Sequence, residues 1–153
     1  MPKSTLPSGL EDHLGYWLRY VSNQVSHSFS LKLAAREVTV AEWVVLRELF
    51  DAQTMAPSEL AEKLGMTRGA ISKLADRLLE KSLLTRVSDK SDRRYQALAL
   101  SGTGRTLVPE LSLLADQNDA EFFGHLARED RATVQRLMMD IVRRHALRVT
   151  PID

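Results

Sequence analysis

Pro57-Ser-Glu-Leu-Ala-Glu-Lys-Leu-Gly65 leads into Met66-Thr-Arg-Gly-Ala-Ile-Ser-Lys-Leu-Ala-Asp-Arg-Leu-Leu-Glu80, and a charged run from Leu84 through Asp89-Lys-Ser-Asp-Arg-Arg94 then reaches Leu100. Pro57 suits the first turn of a helix, where its missing N–H would be unpaired anyway. Gly65 suits a left-handed cap that ends that helix. Thr67 is placed to cap a second helix, with Ala70, Ile71, Leu74, Ala75, Leu78 and Leu79 as its buried stripe. Its opposite face carries Arg68, Gly69, Ser72, Lys73, Asp76, Arg77 and Glu80. Leu84 to Ser88 and Tyr95 to Leu100 have the composition of two short strands joined by a polar turn. Helix, turn, helix and charged hairpin in this order predict a winged helix-turn-helix, which offers one helix to the DNA major groove and a basic loop to the flanking backbone or minor groove.

Charge follows the same boundaries. The net charge of the 153-residue chain is only +1. Residues 1–66 hold six Lys/Arg against eight Asp/Glu, residues 67–94 eight against four, and residues 95–153 seven against eight. The excess of +4 therefore falls on the predicted recognition helix and wing, where phosphates would be met.

Working outward, residues 1–9 contain two prolines and a glycine and predict a flexible N-terminal arm. From Leu10 to about Leu33, the steps Leu14, Trp17, Leu18, Val21, Val25 and Phe29 predict a long amphipathic helix. Thr39-Val-Ala-Glu42 is a capping box that opens a helix ending near Asp51. Ser101 is placed to cap a helix running to about Phe123, with Pro109 early in it, and Gly124 breaks the pattern. A last helix is expected from about Asp130 to Leu147, on Val134, Leu137, Met138, Ile141 and Val142. The expected fold is mostly α with a small β-wing. Residues 37–101 form the DNA-binding lobe, and residues 10–36 and 102–148 form a helical dimerisation region. Terminal helices from both chain ends are expected to pack together and then against another copy. Such a two-fold homodimer would set two recognition helices about one DNA turn apart, matching a palindrome in double-stranded DNA.

The function classes that remain are few. Hydrophobic residues at 44% and charged residues at 27% describe a globular chain. No apolar run approaches the ~20 residues of a membrane helix, and no basic-then-apolar leader opens the chain. With no cysteine, disulfides and thiol redox sensing are excluded, which fits the cytoplasm. No phosphate-cradling glycine loop, nucleophile elbow or dinucleotide fingerprint is present, so no enzyme and no cofactor are expected. His13, His27, His125 and His145 lack close ligand spacing, so no metal site is expected.

The ordered set also resembles the multiple antibiotic resistance regulator (MarR) family. The resemblance is carried by Ser58-Glu-Leu-Ala-Glu-Lys-Leu-Gly65, Ile71-Ser-Lys-Leu-Ala-Asp-Arg-Leu-Leu-Glu80, the wing Asp89 to Arg94 and the junction Leu98-Ala-Leu-Ser-Gly-Thr-Gly104. Leu14 to Tyr20 and Thr39 to Leu46 resemble family helices as well. The resemblance implies a homodimeric transcription factor, expected here to be a repressor, that binds a pseudo-palindrome and in many members is released by a small aromatic, phenolic or carboxylated molecule. The alternative is a constitutive or architectural DNA-binding dimer with no effector. Two departures stand out: Ser91 replaces an arginine common in the wing, and Lys81-Ser82-Leu83 replaces a Gly-Leu type of junction.

Residue by residue, Thr67 either caps its helix or also donates to a phosphate. Arg68, near the helix start, reaches either guanine O6 and N7 or a phosphate. Gly69 either lets the backbone approach DNA or is a helix glycine tolerated at a cost of about 1 kcal/mol, and Ser72 and Lys73 lie one turn further on. Arg77 meets phosphate or pairs with Glu80 or Asp76. Ser58 is placed to offer its hydroxyl and its helix N-terminus to phosphate. In the wing, Lys90 tracks phosphates or is simply solvated, while Asp92 and Arg94 match a family pair that braces the loop. Either Arg93 or Arg94 enters a narrow minor groove. His13, Trp17, Tyr20, Trp43 and Arg47 lie on helices that in relatives face the cleft between lobes, where rings and a cation suit an aromatic acid. Against that, Trp17 and Trp43 have the spacing of core residues, and Arg47 has acidic neighbours.

Overall fold

The structure is a computed structural model that describes residues 6–88 and 96–148. Among these residues, six α-helices and one hairpin follow in order: α1 (Leu14–Ala34), α2 (Val40–Phe50), α3 (Pro57–Leu64), α4 (Arg68–Glu80), β1 (Leu84–Ser88), β2 (Gln96–Leu100), α5 (Gly102–Phe123) and α6 (Arg128–Arg144). The fold class is the expected one, mostly helical with a two-stranded wing. The first five residues of the expected N-terminal arm lie outside the described residues. Among the described residues no helix is long and apolar enough to cross a membrane.

Local signals set most of the boundaries. The Thr39 hydroxyl accepts from the Glu42 N–H and the Glu42 carboxylate accepts from the Thr39 N–H, both at 3.1 Å, which completes the capping box of α2. Ser101 Oγ accepts from the Gly104 N–H at 3.0 Å and opens α5. Gly104 belongs to that first turn for a steric reason, because a Cβ there would lie 2.2 Å from the Leu83 carbonyl oxygen. Gly124 caps α5 in a right-handed conformation rather than a left-handed one.

The core lies inside the lobe. Leu46, Leu49, Leu60, Ile71, Leu78 and Leu98 are fully buried, and the same cluster takes in Leu33 from α1 and Val108 and Leu111 from α5. β1 and β2 pair antiparallel, Leu84 opposite Leu100 and Ser88 opposite Gln96. The hairpin gains a third segment in the loop between α2 and α3. Met55 exchanges two backbone hydrogen bonds with Leu98, at 2.9 and 2.8 Å.

Three expectations need correction. The first helix does not begin at Leu10. A single 3₁₀ turn (Leu10–Asp12) comes first, held by the Gly9 N–H donating to the Asp12 carboxylate at 2.8 Å, and an extended His13 separates it from α1. The last helix runs Arg128–Arg144, two residues earlier at its start and three at its end. It stops where Ala146 takes a positive φ of 45° and the Leu147 N–H reaches back to the Val142 carbonyl, a Schellman ending. Finally, the terminal helices do not all pack together within one chain. α1 and α5 do, through the buried Asn118, whose amide donates to the Val25 carbonyl at 3.1 Å and accepts from Lys32 at 3.0 Å. No residue of α6 is buried. It is tied to α5 by the paired Arg131 and Asp119, at 2.8 Å, and the hydrogen bond and charge of Asp119 hold the Arg131 guanidinium above its ordinary pKa.

Candidate nucleic-acid interface

The turn between α3 and α4 is built to present α4. Gly65 adopts φ 66°, ψ 24°, the left-handed geometry that glycine enters without steric cost. The Met66 N–H then closes on the Ala61 carbonyl at 2.9 Å, and the Met66 side chain is buried. Thr67 Oγ1 accepts from the Ala70 N–H at 3.1 Å, so its capping role is met. Ile71, Leu74, Ala75 and Leu78 are buried in the lobe, with Ala70 and Leu79 at its edge.

The other face of α4 is open. Thr67, Arg68, Gly69, Ser72 and Lys73 are exposed and Arg77 is half-buried. Among the described residues nothing lies within 4 Å of where a Cβ on Gly69 would sit, so their packing does not require glycine there. Arg68, Lys73 and Arg77 form no ion pair among the described residues. Arg77 therefore pairs with neither Glu80 nor Asp76. Asp76 is taken instead by Arg86 of β1 at 3.2 Å, and Arg86 also donates to Gln96 of β2 at 3.2 Å. That side chain links the recognition helix to the base of the wing and partly offsets the acid on the α4 face. Ser58 is exposed in the first turn of α3. Lys90, Asp92, Arg93 and Arg94 lie outside the described residues, in the segment that joins Ser88 to Gln96.

Several of the five residues expected around a ligand already have partners of their own. Trp43 packs edge-on against Phe29, with ring centroids 6.3 Å apart. Trp17 lies twelve residues before Phe29 on α1, about 18 Å along a helix axis. It packs on Tyr16, donates its indole N–H to the Glu11 carbonyl at 3.0 Å and is 47% exposed, so it is not core. His13 and Tyr20 are exposed. Arg47 pairs with Asp51 at 2.8 Å and stands over the Phe50 ring, which Arg105 also covers. Arg105 escaped the sequence reading because its partner Phe50 belongs to α2, far away in the chain.

Residues 38–95, which contain α2 to α4 and β1, match the MarR family. That segment is a MarR-family domain. It is 27% identical over 124 residues to the HTH-type transcriptional regulator PrsX of Escherichia coli, covering 79% of this chain and 75% of that one. Its fold matches a solved structure of BpsR from Bordetella bronchiseptica, described by the regulation of its DNA binding by 6-hydroxynicotinic acid, with a TM-score of 0.80, 24% identity and coverage of 89% and 97% of the two chains. A single-residue mutant of MarR from E. coli, in complex with operator DNA, matches with a TM-score of 0.77 at 23% identity, covering 84% and 93%. The MarR family is one of transcriptional regulators rather than enzymes, and this chain is a MarR-type, DNA-binding transcriptional regulator.

Proposed function

We propose that this regulator is a homodimeric repressor that reads a pseudo-palindromic operator through α4 and the wing. The observation that carries this reading is the exposed α4 face, with Arg68, Lys73 and Arg77 free of ion pairs among the described residues while Asp76 is engaged by Arg86. Arg68, at the helix start, reads a base edge. Thr67, Ser72, Lys73 and Arg77, with Ser58 on α3, set register on phosphates, and Gly69 admits the backbone to close range. Lys90 follows the phosphates, Asp92 braces the wing, and Arg93 and Arg94 supply the minor-groove contact. Residues 37–101 act as the reading lobe. Residues 10–36 and 102–148 supply the dimer contact, which agrees with an α6 whose Val134, Leu137, Met138, Ile141 and Val142 are all between 45% and 48% exposed.

A small aromatic carboxylate or phenol releases the DNA in this reading, in keeping with the 6-hydroxynicotinic acid named for BpsR. His13, Trp17, Tyr20, Trp43 and Arg47 would contribute to the site that binds it. A constitutive dimer without effector is the second reading, favoured by the Trp43–Phe29 stack and the Arg47–Asp51 pair, which engage two of the five.

The test is fluorescence anisotropy on duplexes from the upstream region of this protein's own gene, with a panel of aromatic carboxylates. Arg68→Ala is expected to relax base preference. Arg93→Ala with Arg94→Ala is expected to weaken binding to all sequences and flatten the salt dependence. If neither affects binding, the DNA face is wrongly assigned. A selective complex that no compound dissociates favours the effector-free reading.

A further inference from the structure

Three helix ends meet at one ammonium group. Lys81 directly follows α4, and its Nζ donates to the two Glu42 carboxylate oxygens at 3.0 and 2.9 Å and to the Glu37 carbonyl at 2.6 Å. All three ammonium protons are thereby engaged. Glu42 stands in the first turn of α2 and is 1% exposed. Glu37 sits at a positive φ of 56° just past α1, where its N–H returns to Ala34 and the Val38 N–H to Leu33. The charges suit the helix dipoles at every end, with a carboxylate at the N-terminus of α2 and an ammonium at the C-termini of α1 and α4.

We infer that Lys81 is a positioning residue for DNA recognition, fixing the far end of α4 against α1 and α2 so that the near end enters the groove at a set angle. The inference rests on the assignment of DNA reading to α4 made above. The near end is already fixed by the Gly65 turn and the Thr67 cap. The 13 residues of α4 span about 20 Å. A helix held at both ends presents Arg68, Ser72 and Lys73 in one orientation, whereas one released at Lys81 samples several. Removing the ammonium also leaves the Glu42 carboxylate buried without its cation, so the junction cannot simply close over the gap. Lys81 makes its contacts toward the lobe, and it acts on DNA without touching it. Because α1 ends at the same ammonium, a displacement of α1 relative to the lobe reaches α4 through this junction.

The test compares Lys81→Met, Lys81→Arg and Glu42→Gln with the wild type on an upstream duplex that the wild type selects over scrambled DNA. Binding is measured by anisotropy across a salt series, below the melting temperature of each variant. Lys81→Met is expected to lose about tenfold or more in affinity. Its salt slope stays at the wild-type value, since no phosphate contact is removed. Lys81→Arg, which keeps charge and donors, stays within about threefold of the wild type. Glu42→Gln keeps an acceptor for the Thr39 cap but loses the charge; it weakens binding in the same way and decides the matter if Lys81→Met does not fold.

A folded Lys81→Met that binds like the wild type overturns the inference, leaving Lys81 a purely structural residue. So does a salt slope reduced by about 0.9, which would make it a phosphate contact. A wild type that selects no duplex overturns the DNA reading and this inference with it. A selective wild type beside an indifferent Lys81→Met overturns this inference alone.

Discussion

The lobe and the last helix are written in the same apolar alphabet and end in opposite conditions. In the lobe, Leu46, Leu49, Leu60, Ile71 and Leu78 are entirely buried. In α6, Leu137, Met138, Ile141 and Val142 follow the same helical spacing, and each stays nearly half exposed. The first turns of α1 resemble α6, with Leu14 and Leu18 exposed. A helical stripe therefore states that a surface must be covered without stating by what. The lobe covers its own through the crossing of α2, α3, α4 and the wing. The terminal helices leave theirs open in a single chain.

Four sets of changes act on the two regions. Leu46→Ala removes a fully buried side chain and is expected to cost about 3 kcal/mol. Thermal denaturation followed by circular dichroism should show this at every protein concentration. Leu137→Asp with Ile141→Asp acts on the uncovered stripe. It is expected to yield monomers by light scattering with unchanged helix content, and to lose about a hundredfold in operator affinity as two linked half-sites become one. If the double variant stays dimeric, the contact between copies lies elsewhere.

Two smaller changes sharpen the comparison from inside the lobe. Ser82 occupies the left-handed position after α4, at φ 59°, and the Leu83 N–H still returns to the Leu78 carbonyl at 3.0 Å. The departure from a glycine junction thus leaves the turn intact and places strain in it. Ser82→Gly is expected to stabilise the lobe by about 1 kcal/mol, read as a higher denaturant midpoint. Gly69→Ala is expected to add up to about 1 kcal/mol of helix stability and yet weaken operator binding. Unchanged affinity in that variant would mean that DNA does not approach the start of α4 closely.

Much of the lobe was legible because its signals are local. A capping box, a threonine cap, a left-handed glycine and a buried stripe each act over three or four residues, so Thr39, Gly65, Thr67 and Ser101 sit where the pattern puts them. What the sequence could not display depends on pairs far apart in the chain. Met55 finds Leu98 across the lobe, and Lys81 finds Glu42 39 residues away. Glu42 reads as a surface capping residue until α4 closes over it. Arg77 had two local acids to pair with, Glu80 and Asp76, yet Asp76 was taken by Arg86 ten residues on. The break at His13 was hidden because the apolar steps run through it without a change of period. Of the DNA face, α4 was readable from charge and spacing. The ligand set was carried by the resemblance alone, because rings at helical spacing fit a core as well as a cleft.

The role proposed for α4 and the wing is to read DNA sequence. It is tested most directly by fluorescence anisotropy of the wild-type protein on the upstream region of its own gene, with scrambled DNA as control and salt raised through the titration. The account predicts tight, selective binding to the upstream region that falls steeply with salt. Equal affinity for upstream, scrambled and other genomic DNA, even at low salt, would contradict it.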